Sequence, residues 1–319
     1  MKKHFSMGDF LAKYAIIAVL IVLIAFFSIT SDTFFTQANI FNILRQVAMV
    51  GIVSVGMTMV LLTGGIDLSV GSIIGVSCVC TATLLLSGMN VVLVILISLI
   101  FCASLGLLNG FFINQLQIPP LITTLGMLTA LRGVAYLITG GMPVFGFDSA
   151  ILFLGKGEVF GIIPVPFIIM VSVFICGWLF LDKTRYGRYI YGVGGNEEAT
   201  RLSGISVKNI KYIVYAISGF LSGLAGIVLL ARINSGTPKA GDGYEMDVIT
   251  AVVLGGVSIS GGEGKIGFVV VGVLFMGILT NGMIMMNVQE YVQWVIKGFA
   301  LIAAVSFDRV VQNRKVKMT

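Results

Sequence analysis

A succession of apolar stretches, each long enough or nearly long enough to cross a bilayer, governs what this chain can fold into. They run at about Tyr14 to Ile29, Val47 to Thr63, Ile73 to Ser87, Val91 to Ile113, Leu121 to Ile138, Ile162 to Leu181, Tyr212 to Ala231, Met246 to Ile259, Ile266 to Met286 and Val292 to Phe307. A chain that is 57% hydrophobic and 11% charged, with mean hydropathy +1.05, lies far from the roughly 25% charged of a soluble domain. Lipid offers the backbone no hydrogen bonds, so runs of this kind specify helices. The expected fold is all-α, a polytopic transmembrane helical bundle of about ten spans forming a single domain over residues 1–319. Forty glycines suit helices that pack closely in a membrane.

Ten crossings put both termini on one side, and the cations say which. Lys2, Lys3 and Lys13 precede the first span, while Lys183, Arg185, Arg188, Arg201, Lys208 and Lys211 crowd one loop and Arg309, Arg314, Lys315 and Lys317 the tail. All of these fall on the same side, leaving Arg45, Lys156, Arg232 and Lys239 for the other. The positive-inside rule therefore makes both termini cytoplasmic, and an odd number of spans would break it. No small-x-small cleavage site follows the first apolar run, so it is expected to stay as a span. The eighth stretch, at ~1.5 Å per residue, covers only about 21 Å of a ~30 Å core. It is expected to start in a loop, tilt or break part way. Thr139 to Gly161, glycine-rich and carrying Pro143, Asp148, Lys156 and Glu158, reads as an ordered external loop.

The polar inventory excludes several classes. A net charge of +6 and a pI near 9.2 follow from basic cytoplasmic loops without any nucleic-acid partner. The only histidine is His4, and Cys78, Cys80, Cys102 and Cys176 sit in apolar runs at spacings no zinc or redox site uses. No metal, catalytic residue or cofactor is expected on this chain. Gly261 to Gly267, GGEGKIG, superficially resembles a phosphate loop, but Ile259 and Ile266 stand where a glycine and a Ser or Thr belong. If ATP drives this protein, another subunit brings the ATPase.

The one long polar interruption, about 182–211, has a local design. Gly192, Gly194 and Gly195 are expected to form a flexible approach; Asn196 is a good N-cap, and Glu197 and Glu198 oppose the positive end of a helix. Arg201 belongs to its last turn and Gly204 closes it, giving a helix over about Glu197 to Ser203. So short a helix needs a surface, and Ala199 and Leu202 are the apolar residues it offers. Six basic residues already fix the loop's side; the glutamates and caps exceed that need and argue for docking.

Within the spans, Asp67 is the carboxylate that costs most, roughly 2.5–3.5 kcal/mol at bilayer depth. Asp67 and Ser69 also read as N-caps of the third span, with Gly64, Gly65 and Gly71 permitting a tight turn. Gly64, Gly65, Asp67, Ser69, Asn109 and Asn281 are the candidates for a translocation path, although interhelical bonding is the commoner role for such asparagines. Gly64 to Gly75 and Gly255 to Gly267 echo one another, without the equal spacing of a strict repeat. Arg132 and Lys297 are expected to reach the interface by their stems. Aromatics such as Trp294 and Tyr191 read as the interfacial belt, and Gln289 to Tyr291 as an external turn.

Three stretches in order, LTGGIDLSVGS from Leu62, TRYGRYIYGVGGNEEA from Thr184 and VVLGGVSISGGEG from Val252, carry a resemblance to the permease subunits of ribose, xylose and galactose-type ABC importers. The likeness runs from about Phe34 to the C-terminus. It implies a bacterial cytoplasmic-membrane protein pairing with a second permease subunit, in a homo- or heterodimer. It further implies a cytoplasmic ABC ATPase docked on the coupling loop, an extracytoplasmic sugar-binding protein, and a monosaccharide such as ribose as cargo. The alternatives are an ion-coupled secondary transporter using Asp67, a membrane protein with no transport role, and a permease for another solute such as branched-chain amino acids.

Overall fold

The structure, a computed structural model, describes residues 7–147 and 149–316; Lys2, Lys3, His4, Asp148 and Lys317 lie outside them. The described residues form thirteen α-helices: α1 Met7–Thr30, α2 Gln37–Leu62, α3 Val70–Leu86, α4 Val91–Gln115, α5 Pro120–Thr139, α6 Phe153–Lys156, α7 Val165–Lys183, α8 Arg185–Gly195, α9 Glu197–Leu202, α10 Val207–Ile233, α11 Tyr244–Leu254, α12 Ile266–Met285 and α13 Glu290–Val316. Seven of them, α2, α4, α5, α7, α10, α12 and α13, are long and apolar enough to cross a membrane. Ile16–Thr30 within α1 and Val70–Leu86 are shorter apolar helices, and α11 has eleven residues. The all-α polytopic architecture is as expected, with a two-residue antiparallel hairpin, Glu158–Val159 with Ile163–Pro164, in the segment before α7.

The bundle is organised around α2. Its sequence is apolar on every side, which suits a helix enclosed by others, and Val47 to Leu62 is buried without a break. α7, α10, α11 and α12 pack around it. The helix begins ten residues before the expected Val47, because the Thr36 side chain accepts from the Asn39 amide and caps it. Gln37 and Asn39 belong to its first turn. On α4 and α10 the backbones meet directly: a Cβ on Gly106 would overlap the Tyr215 carbonyl, and one on Gly219 the Cys102 carbonyl. This is how small residues bring membrane helices together.

Besides the 63–69 turn, two longer stretches of backbone inside the bundle are not helical. Asn234, with φ 56°, ends α10, and Gly236 exchanges two backbone bonds of 2.9 and 2.8 Å with Val144. The chain then runs beside α3, from Gly236 against Ala82 to Gly241 against Ile74 and Gly71, before α11 begins. That is roughly 16 Å of helix axis at ~1.5 Å per residue. The eighth stretch, Met246 to Ile259, is helical from its start to Leu254 and then breaks at Gly255, one of the outcomes expected of it. The second non-helical stretch, 255–265, returns the chain from α11 to α12.

Segment 234–243 and helix α11 correct the reading of two cations. Arg132 turns inward, donating to the carbonyls of Pro238 and Ala240, each at 2.8 Å. Lys297 likewise bonds the buried Asp247 carboxylate at 2.7 Å instead of reaching outward. An extended backbone and a buried carboxylate both need partners, and their demand outweighs the pull of the interface.

Candidate functional site

At one end of α2 three glycine stretches from distant parts of the sequence meet. Thr184 caps α8 by accepting from the Gly187 amide at 3.2 Å, and the helix continues to Gly195. Gly192, Gly194 and Gly195 are therefore its last turn, not the flexible approach expected of them. The reason is proximity: Gly194 lies so close to the last residue of α2 that a Cβ would overlap the Leu62 carbonyl oxygen. That same carbonyl accepts from the Gly262 amide at 2.9 Å. Gly261 and Gly262 have φ of +86° and +73°, and a Cβ on Gly261 would come within 2.8 Å of the Gly64 nitrogen. Tyr191 adds a clamp, its hydroxyl donating to the Gly264 carbonyl at 3.0 Å. Burial, then the nearby Asp182 carboxylate, holds the Tyr191 phenol above its ordinary pKa.

The short helix projects from this junction. Asn196 accepts from the Ala199 amide at 2.8 Å, and Glu197 and Glu198 fill the first turn. Arg201 pairs with Glu198 at 2.7 Å and Lys211 with Glu197 at 2.9 Å. Gly204, at φ +82°, turns the chain after the helix, which ends at Leu202, one residue earlier than expected. Thr200 is buried, whereas Ala199 is exposed and Leu202 is 78% exposed. A capped helix thus holds an apolar side chain outward, beside a junction of touching backbones.

Further into the bundle, Asp67 binds four groups together. Its Oδ1 accepts from the Ser69 amide at 3.0 Å and hydroxyl at 2.6 Å, and its Oδ2 accepts from the Ser218 hydroxyl at 2.7 Å. Asn109 donates to the Ser69 oxygen at 2.8 Å. Ser69 occupies the N-cap position of α3 but makes no side-chain cap bond, because its hydroxyl is committed to Asp67. Asp67, Ser69, Asn109 and Ser218 are all buried, so the group ties the 63–69 turn to α4 and α10. Gly65 is pressed against the Tyr215 hydroxyl, and Gly64 lies near the Ser260 carbonyl.

Asn281 is apart from this group. It exchanges side-chain amide bonds of 3.1 and 2.9 Å with Asn39, at the opposite end of α2, about 35 Å away along the helix at ~1.5 Å per residue. The six path candidates therefore divide into a junction group and one distant asparagine. Of the residues that complete these contacts, Ser218 carried no sequence signal, being a serine in an apolar helix, whereas Tyr191 and Gly262 lie in two of the stretches that carry the resemblance, and Tyr191, read as an interfacial aromatic, bonds backbone instead.

Residues 39–305 match the family model described as the branched-chain amino acid transport system / permease component. The chain is 43% identical over 311 residues to the ribose import permease protein RbsC of Escherichia coli (strain K12), covering 96% of each chain. It is 44% identical over 292 residues to the ribose import permease protein RbsC of Bacillus subtilis (strain 168), covering 91% of this chain and 90% of that one. It is 40% identical over 314 residues to the L-arabinose transport system permease protein AraH of Escherichia coli (strain K12), covering 98% and 95%. No solved structure matches the chain with significance.

Proposed function

Since the chain belongs to the family of branched-chain amino acid transport system permease components, we propose that it is the membrane-spanning permease of an ATP-driven importer and carries a monosaccharide inward. Relatives named for ribose and L-arabinose, at 40% identity or more over nearly the whole chain, support a pentose-like cargo with ribose first. The chain itself holds no ATPase; a separate cytoplasmic ABC ATPase supplies the energy, an extracytoplasmic binding protein delivers the sugar, and a second permease subunit completes the pore. The membrane is the bacterial cytoplasmic membrane.

The observation that carries the reading is the placement of α9. Its exposed Leu202 stands on a capped helix beside Gly194, and Gly194 touches both the end of α2 and the 255–265 segment. An ATPase gripping α9 moves the central helix without a flexible link between them. In this reading α1, α3 and the 234–254 unit join the seven long helices as crossings, making ten, with both termini cytoplasmic; the basic loop around α8 and α9 then faces the cytoplasm.

Co-purification in mild detergent, with and without Leu202→Asp, tests it. An ABC ATPase recovered with the wild type and lost with the variant supports the reading. Absence of an ATPase from both, with sugar uptake that collapses when the proton gradient alone is removed, overturns it in favour of ion coupling.

A further inference from the structure

Non-helical backbone at membrane depth is tolerated where protein buries it or where it borders a water-filled cavity. Segment 234–243 is buried by protein on one side and exposed on the other. Towards α3 it is buried: Gly236, Pro238, Ala240 and Gly241 are covered, and Arg132 bonds two of its carbonyls. On the other side Lys239 and Asp242 are exposed. Among the described residues neither forms an ion pair, nor does Glu290 on the first turn of α13. Charges of both signs that are exposed and unpaired favour water, since lipid would impose roughly 2.5–3.5 kcal/mol on any of them held at bilayer depth.

These charges border a cleft of about 330 Å³, within the ~300–1,000 Å³ of small-ligand sites. Thr237, Lys239, Asp242, Tyr244, Glu290 and Trp294 line it. The set combines hydroxyl, ammonium and carboxylate groups with two aromatic rings. Carboxylates accept from vicinal hydroxyls, an ammonium donates to ring and hydroxyl oxygens, and an indole face covers the C–H side of a pyranose or furanose. We propose that this cleft is a monosaccharide-binding station on the translocation route, and that the route runs along the exposed edge of segment 234–243 and past the start of α13. The turn around Asp67 is then structural, its side-chain oxygens already occupied by serines. This inference rests on the sugar-importer reading and adds the place where the sugar touches the permease.

Lys239→Cys and Asp242→Cys, each with Cys176→Ser, test it in the complete transporter in proteoliposomes. Leu125→Cys, at a leucine on α5 that is itself 52% exposed, serves as the lipid-facing control. The probe is a membrane-impermeant charged methanethiosulfonate, which reacts with a thiolate in water. Labelling of both cleft cysteines at least about tenfold faster than Leu125→Cys, slowed by ribose or another transported monosaccharide, supports the station. Trp294→Ala is expected to lower uptake about tenfold at equal membrane abundance, with Trp294→Phe retaining most of it. Cleft cysteines as unreactive as Leu125→Cys, in transporters that still import sugar, overturn the route and leave the importer reading standing. Rapid labelling in a system that imports no monosaccharide overturns the importer reading and the sugar station with it.

Discussion

Gly262 donates its amide hydrogen to the carbonyl of Leu62 across 2.9 Å, joining the turn after α11 to the last residue of α2. Gly194 presses against the same carbonyl from α8. One oxygen atom is thus the meeting point of three segments, and the first predictions concern it.

Gly194→Ala is expected to abolish a stable transporter or uncouple ATP hydrolysis from uptake, because the added methyl overlaps backbone that cannot move aside. Gly195→Ala meets nothing within 4 Å and is expected to leave both intact. At an exposed helix end that change is worth less than ~1 kcal/mol. Membrane abundance and the ATPase-to-uptake ratio of the two variants make the comparison.

Asp67→Ala is expected to lower the thermal stability of the detergent-solubilised protein strongly, since it strands the buried hydroxyls of Ser69 and Ser218 at about 1–3 kcal/mol each. Asp67→Asn keeps an acceptor and is expected to lose less. If Asp67 instead served as a coupling carboxylate, Asp67→Asn would stop uptake while leaving the melting temperature unchanged.

Asn39 and Asn281 bond each other reciprocally. Asn281→Leu alone is expected to destabilise, and adding Asn39→Leu to recover part of the loss, with a coupling energy of about 0.6–2 kcal/mol in a double-mutant cycle. The melting temperatures of the three variants in detergent give the cycle.

Tyr191 gives an alkaline dependence. Its folded pKa lies above the ordinary value because burial, and then Asp182, disfavour the phenolate. The folded state therefore holds its proton more tightly, so the contribution to stability is complete below the unfolded pKa of about 10 and falls as pH rises through the folded value. Tyr191→Phe is expected to remove this component of the alkaline loss while costing about 1 kcal/mol for the bond to Gly264. Thermal melts of both proteins between neutral pH and about pH 11 separate the two effects.

The legibility of these features in the sequence follows from their range. Helix α9 was readable because a cap is a local device: Asn196, the two glutamates and Gly204 lie within nine residues of one another. Long apolar runs likewise announce their own helices. What escaped depends on neighbours distant in sequence. Gly192 to Gly195 look like a hinge until Leu62 is seen against them, and Arg132 looks like an interfacial residue until segment 234–243 offers its carbonyls. Asn109 and Asn281 were alike as sequence, two amides in apolar helices; only the fold assigns one to Ser69 and the other to Asn39.

The enclosure of α2 has a consequence for how the protein is made. This helix leaves the ribosome early, yet α10, α11 and α12, which cover it, are synthesised long afterwards. Asn39 waits for Asn281, and Asp67 for Ser218. During that interval the Asn39 and Asp67 side chains lack these partners, and a nascent chain halted before Ile233 cannot finish the core. Quality-control proteases that inspect membrane proteins for unsatisfied polar groups would find their signal there.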